Sequence, residues 1–208
     1  MADGISLAAA LLVVGPMVGA VCASSPSLFS VWSASREDHL AIIGAHRRAW
    51  TLLNAGFFIA TVGSAAGLSV LAVSLGGDPR RTAALAAVAV AYTIAGALWC
   101  AVLSIRTRTT PALADLVATG ATTEPVETLL GAATSGLFAA FVLTTGSALV
   151  VLGITLGLAG GVAAPLAGLA AFVAALALVH FVASGDTLPA LLYPPTLLIG
   201  LGLLLGWS

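Results

Sequence analysis

The sequence predicts an all-α protein: a polytopic membrane helix bundle of about six transmembrane helices, in one domain covering residues 1–208. Three observations carry this. Hydrophobic residues make up 60% of the chain and charged residues only 7%, whereas a water-soluble domain carries about 25% charge. The mean hydropathy is +1.14. The apolar residues also run continuously, rich in Ala and Leu, while a transmembrane β-barrel would alternate polar and apolar residues over segments of about ten. A soluble enzyme, a secreted domain and a disordered chain are excluded together. The net charge of −1 offers no basic field to phosphates, so no nucleic acid is expected as a partner.

A helix crossing the hydrocarbon layer needs about 20 mostly apolar residues. Six stretches qualify: 5–24, 49–75, 82–105, 128–158, 162–183 and 189–207. The first follows Met-Ala-Asp-Gly, and an export signal would open on cations instead, so it is read as a retained span. Residues 25–48 form an amphipathic segment outside the membrane. Within it Ser35-Arg36-Glu37-Asp38 reads as a capping box, starting a helix that runs on into the second span. On that helix His39 and His46 share a face, and His46, Trp50 and Asn54 follow at steps of four. Asn54 would be costly against lipid and should point into the bundle. The same stripe also fits an interfacial helix, with arginines snorkelling and Trp50 in an aromatic belt.

In the third span Tyr92, Trp99 and Arg106 are spaced by seven. A short helix is expected to begin at Pro111 and to carry Asp115. The fourth span opens at Pro125 with Glu124 and Glu127, acids that suit a helix N-terminus, and one face continues through Thr134, Phe138, Phe141 and Thr145. The fifth brings Phe172, Leu176 and His180 at steps of four; Asp186 and Tyr193 follow, and Pro194-Pro195 head the last span. Cys22 and Cys100 read as small apolar residues. Gly63/Gly67, Gly153/Gly157 and Gly202/Gly206 are small-xxx-small pairs that let helices approach closely. They suggest a bundle sealed outward and open inward. Gly15 and Gly19 find no place in that scheme.

Arginine bias sets the orientation. Arg36, Arg47, Arg48, Arg106 and Arg108 fall on one side, Arg80 and Arg81 on the other. This predicts a multi-pass protein of the cell membrane with both termini outside the cytoplasm. Most polarity then gathers at the cytoplasmic face, and the outer face keeps only Asp3, Asp78, Arg80 and Arg81. Candidate catalytic groups there are Asp38, Asp115, Glu127, Asp186, His46 and His180. Candidate substrate-binding residues are Trp50, Asn54, Tyr92, Trp99, Phe138, Phe141 and Tyr193.

The stretch His39 to Trp50, the run Thr110-Pro111-Ala112-Leu113-Ala114-Asp115, and Asp186-Thr187-Leu188-Pro189 leading to Tyr193-Pro194-Pro195 resemble a group of small six-span membrane proteins of high-GC bacteria, mostly without assigned function. The resemblance covers nearly the whole chain and implies the fold. In size and span number the chain is also similar to bacterial membrane-integral terpene cyclases, a likeness of architecture alone.

No acid or cation sits at a span centre, which disfavours ion pumping. The three histidines lack the spacing of a metal site, and no Asp-rich motif is present to hold magnesium on a diphosphate, so neither metal nor cofactor is expected. A carboxyl kept protonated by partial burial, beside aromatics that steady a cation, would suit acid-initiated chemistry on an isoprenoid-like substrate. The expected function is accordingly a terpene-cyclase-like membrane enzyme; the alternative is an exporter of a lipophilic molecule or a non-catalytic membrane subunit. The expected partners are membrane lipid and a lipophilic small molecule, and association into a homo-oligomer is left open.

Overall fold

The computed structural model describes residues 2–32, 34–75, 77–160 and 164–206, without the side chains of Ala2, Trp32, Arg36 and Glu37. Val162 and Trp207, expected ends of spans, lie outside the described residues, as do the Arg36 and Glu37 side chains. In chain order come α1 (Ala2–Ala23), a 3-10 helix (Pro26–Trp32), α2 (Arg36–Ala45), α3 (Arg47–Ser74), α4 (Pro79–Ala118), α5 (Glu124–Leu158), α6 (Ala164–Ser184), a second 3-10 helix (Pro189–Leu192) and α7 (Pro194–Leu204). Five of these helices, α1, α3, α4, α5 and α6, are long and apolar enough to cross a membrane. The bundle is therefore polytopic and all-helical, as the composition requires.

Local sequence explains most boundaries. Ser35 caps α2, accepting from the Asp38 amide at 3.3 Å. Asp78 caps α4 through the Arg80 amide at 2.9 Å, with Pro79 at the first helical position, where its missing N–H costs nothing. Pro125 does the same for α5.

Two expectations are corrected. The helix begun at Ser35 does not run on into the second span. It stops at His46, whose backbone (φ −122°, ψ 40°) leaves helical geometry while its N–H reaches the Ile42 and Ile43 carbonyls. The break turns α2 back against α4, where Leu40 buries with Leu113 and Ala114. No separate helix begins at Pro111 either, because α4 runs unbroken through it to Ala118. An internal proline costs about 3 kcal/mol, and the burial of Leu113 and Ala114 under α2 offsets it. The last apolar stretch carries a shorter apolar helical run, Pro189–Leu204. It divides at Tyr193 into a 3-10 turn and the 11-residue α7, since Pro194 and Pro195 offer no amide protons to the preceding turn.

Glycine permits close helix crossings. A Cβ on Gly15 would lie 3.2 Å from the Ala60 carbonyl oxygen, and one on Gly63 would lie 3.3 Å from the Gly15 Cα. Gly15 thus belongs to the α1–α3 contact, which gives it the place the sequence did not. Gly153 meets α6 still more tightly, its notional Cβ 2.5 Å from the Ala167 oxygen.

The interior has two halves. Around the N-terminal part of α1 and the C-terminal part of α5 it is aliphatic, built on Leu12, Leu71, Leu85, Leu149 and Leu152. Toward the α2 end it is aromatic, built on Trp50, Phe57, Trp99, Phe141 and Tyr193. Outward-facing Val73, Val90, Ile94, Ile154 and Val179 are exposed, the pattern of a surface solvated by lipid tails. The 40 residues of α4 extend about 60 Å, twice the hydrocarbon thickness of about 30 Å. Together with the first turns of α5, its last third forms a stem that α2 embraces.

Candidate functional site

Two helical stripes face each other in that stem. On α4, Arg106, Thr109, Thr110 and Leu113 recur at the three- and four-residue spacing of one helix face; on α5, Glu127, Leu130, Gly131 and Thr134 do the same. They enclose, with His39 and Leu40 of α2, a pocket of about 340 Å³. Gly131 opens toward empty space, with nothing within 4 Å of a notional Cβ. The walls are largely aliphatic, and among the described residues the polar atoms come from one guanidinium, one carboxyl, one imidazole and three hydroxyls.

Trp50 forms the support beneath the two basic groups. It is fully buried; its Nε1 donates to the Arg106 carbonyl at 3.2 Å, and the Arg106 guanidinium lies over its ring at 5.0 Å, a cation–π contact. The His39 ring meets it edge-on at 6.1 Å. Burial, and after it the neighbouring Arg106 charge, hold the His39 imidazole below its usual range. Glu127 accepts a hydrogen bond from the Thr123 hydroxyl. The Thr109 and Thr134 hydroxyls each donate back to their own helix, to Ile105 and Leu130 carbonyls, both at 2.7 Å.

Of the acids expected to work, Glu127 alone among the described ones lines this pocket. Asp38 is exposed and accepts from the Ser35 hydroxyl at 2.7 Å. Asp115 is exposed and held two-pronged by Arg47, with one contact at 2.9 Å. Asp186 is exposed and accepts from the Thr187 amide at 2.7 Å. His46 lies exposed at the α2–α3 break and His180 exposed on α6, so neither joins the pocket. Among the described residues no three His, Cys, Asp or Glu side chains converge as a metal site would require.

The aromatic candidates pack on one another. Trp99 stacks on Phe141 (5.1 Å, 10°) and leans on Phe138 (5.4 Å), and Phe138 meets Phe181 edge-on. Tyr193 stacks on Phe57 (5.8 Å, 10°). Its hydroxyl accepts from Trp99 Nε1 at 3.1 Å, lies 2.9 Å from the Thr61 hydroxyl and donates to the Phe57 carbonyl at 3.2 Å. Tyr92 is buried deeper. Together these residues make a plug below the pocket. Asn54 donates to the Trp50 carbonyl at 2.7 Å and borders a separate groove between α3 and α4, beside Phe58 and Ser104.

Sequence reasoning passed over Arg106, Thr109 and Thr110 as site residues. The signal was present, since Arg106 continues the Tyr92–Trp99 step of seven and the threonines follow it at three and four.

Comparison with known proteins gives no match: no family model fits the chain, and neither a curated protein nor a solved structure is similar to it.

Proposed function

We propose that the protein is an integral membrane enzyme that draws an isoprenoid-like lipophilic molecule from the bilayer into the α2–α4–α5 pocket and acts on it by proton transfer through Glu127. The supporting observation is position: among the described acids expected to work, Glu127 lines the pocket, whereas Asp38, Asp115 and Asp186 are exposed and lie outside it. Aliphatic walls from Leu40, Ile105, Leu113 and Leu130 suit a hydrocarbon chain, and polar atoms at one end suit its head. Most of the aromatics that would steady a carbocation are spent on each other, so the chemistry proposed is proton transfer at the head rather than ring closure along the chain. The reading also places the stem in the cytoplasm, following the arginines.

An exporter would need a path between faces. Here the plug of Trp99, Phe141 and Tyr193 and the aliphatic half lie between the pocket and the opposite end, which favours one-sided action.

The test starts from lipophilic molecules that co-purify with the protein in mild detergent, identified by mass spectrometry and returned as substrate. Glu127→Gln is expected to lower turnover by about 100-fold or more, the scale of a lost acid–base group. Asp38→Asn, Asp115→Asn and Asp186→Asn are expected to stay within a few-fold of the parent. Full turnover in Glu127→Gln would overturn the assignment.

A further inference from the structure

The groove between α3 and α4, about 480 Å³ in volume, shares no described lining residue with the α2–α4–α5 pocket. It changes character along its length. Toward the bundle centre it is apolar, with Phe58 and Ile59 exposed and Leu103 buried beside them. Its other end carries Arg108 and the hydroxyls of Thr51 and Thr107. The contact of Trp50 Nε1 with the Arg106 carbonyl at 3.2 Å fixes how the two antiparallel helices align. Two residues farther out on each stand Arg48 and Arg108, close to level with one another. Arg48 also lies one turn above Thr51 on the same face of α3, so two guanidinium groups flank the polar end of the groove.

Charge and height say what such a groove takes. Arg47 is held by Asp115, but among the described residues neither Arg48 nor Arg108 enters an ion pair. No described residue lining the groove is acidic. Counted from Pro79, Arg108 lies about 44 Å along α4, the level of the lipid headgroups, and the apolar end of the groove lies at acyl-chain depth. Guanidinium groups pair well with phosphate oxygens, and a basic recess between transmembrane helices at headgroup level favours anionic lipid. A zwitterionic lipid would bring an ammonium for which this groove holds no described acid. We propose that the α3–α4 groove binds an anionic glycerophospholipid, its phosphate between Arg48 and Arg108 and one acyl chain along Phe58 and Ile59. The site is separate from the pocket of Glu127 and does not depend on the chemistry proposed there.

The experiment titrates the delipidated protein in detergent with three dioleoyl probes, phosphatidylglycerol, phosphatidylethanolamine and phosphatidylcholine, and counts bound lipid by native mass spectrometry. Phosphatidylglycerol is expected to bind about ten-fold tighter than either zwitterion. In Arg48→Gln/Arg108→Gln that preference is expected to shrink to within about two-fold, while Arg80→Gln, at the opposite end of α4, keeps it. Ala55→Trp, which fills the groove and leaves both arginines in place, is expected to lose the preference as well. Equal binding of the three lipids to the parent protein overturns the proposal without using any variant. A preference that survives in the double variant overturns it too, by assigning the lipid to another surface. Displacement of phosphatidylglycerol by an equal concentration of inorganic phosphate would reveal a site for the ion alone and would likewise overturn the lipid.

Discussion

At the scale of single residues, Trp50 and Tyr193 carry unusual responsibility because each satisfies several partners at once. Tyr193 closes a buried junction of α3, α4 and the chain entering α7 with one hydroxyl. Tyr193→Phe leaves the Trp99 indole N–H without its acceptor, and a buried group so stranded costs about 1–3 kcal/mol. Thermal unfolding in detergent should show that loss, and a variant as stable as the parent would mean the junction is not closed. His39 gives a pH signature. Its folded-state proton affinity lies below that of an unfolded imidazole, so the unfolded chain takes up the proton first. Stability should therefore decline as pH falls through the usual imidazole value of about 6.5, and level off once the folded protein also titrates. His39→Gln should flatten that part of the profile; an unchanged slope would assign it to another group.

At the scale of elements, the sequence told most where chemistry is local and least where elements compete. The Ser35 cap, the Pro125 start and the five long apolar helices were legible because each rests on neighbours within a turn. The break at His46 and the continuation through Pro111 were not, since both depend on α2 folding back onto Leu113 and Ala114, a contact between residues about 70 positions apart. The site follows the same division. Each stripe, on α4 and on α5, could be read from spacing, while the choice of Glu127 over Asp115 required knowing that Arg47 reaches Asp115. That ion pair is about half exposed on both sides, so Arg47→Ala should leave the unfolding temperature close to that of the parent. The α1–α3 crossing should respond very differently. Gly63→Leu forces a side chain against the α1 backbone and should cost at least about 1–3 kcal/mol, read as a lower unfolding temperature; a stable variant would show that the helices separate freely.

At the scale of the whole molecule, the two ends differ in kind: an aliphatic, closely packed end and an aromatic, polar end crowned by the stem. Single cysteines at Asp186→Cys and Asp78→Cys, in a background lacking Cys22 and Cys100, should react with an impermeant thiol reagent from opposite sides of the membrane. The arginine bias predicts that Asp78→Cys is labelled in intact cells and Asp186→Cys only after lysis; the reverse result inverts the orientation. The height of the pocket has a further consequence. Arg106 stands 27 residues along α4 from Pro79, about 40 Å, which is the depth of the lipid headgroups. On the proposed function, a guest would enter the pocket from the headgroup layer rather than from bulk water. Its encounter with the protein would then be a lateral collision in two dimensions, so on the proposed function adding inert lipid at a fixed total amount of guest should lower the rate, as dilution of the guest in the bilayer would.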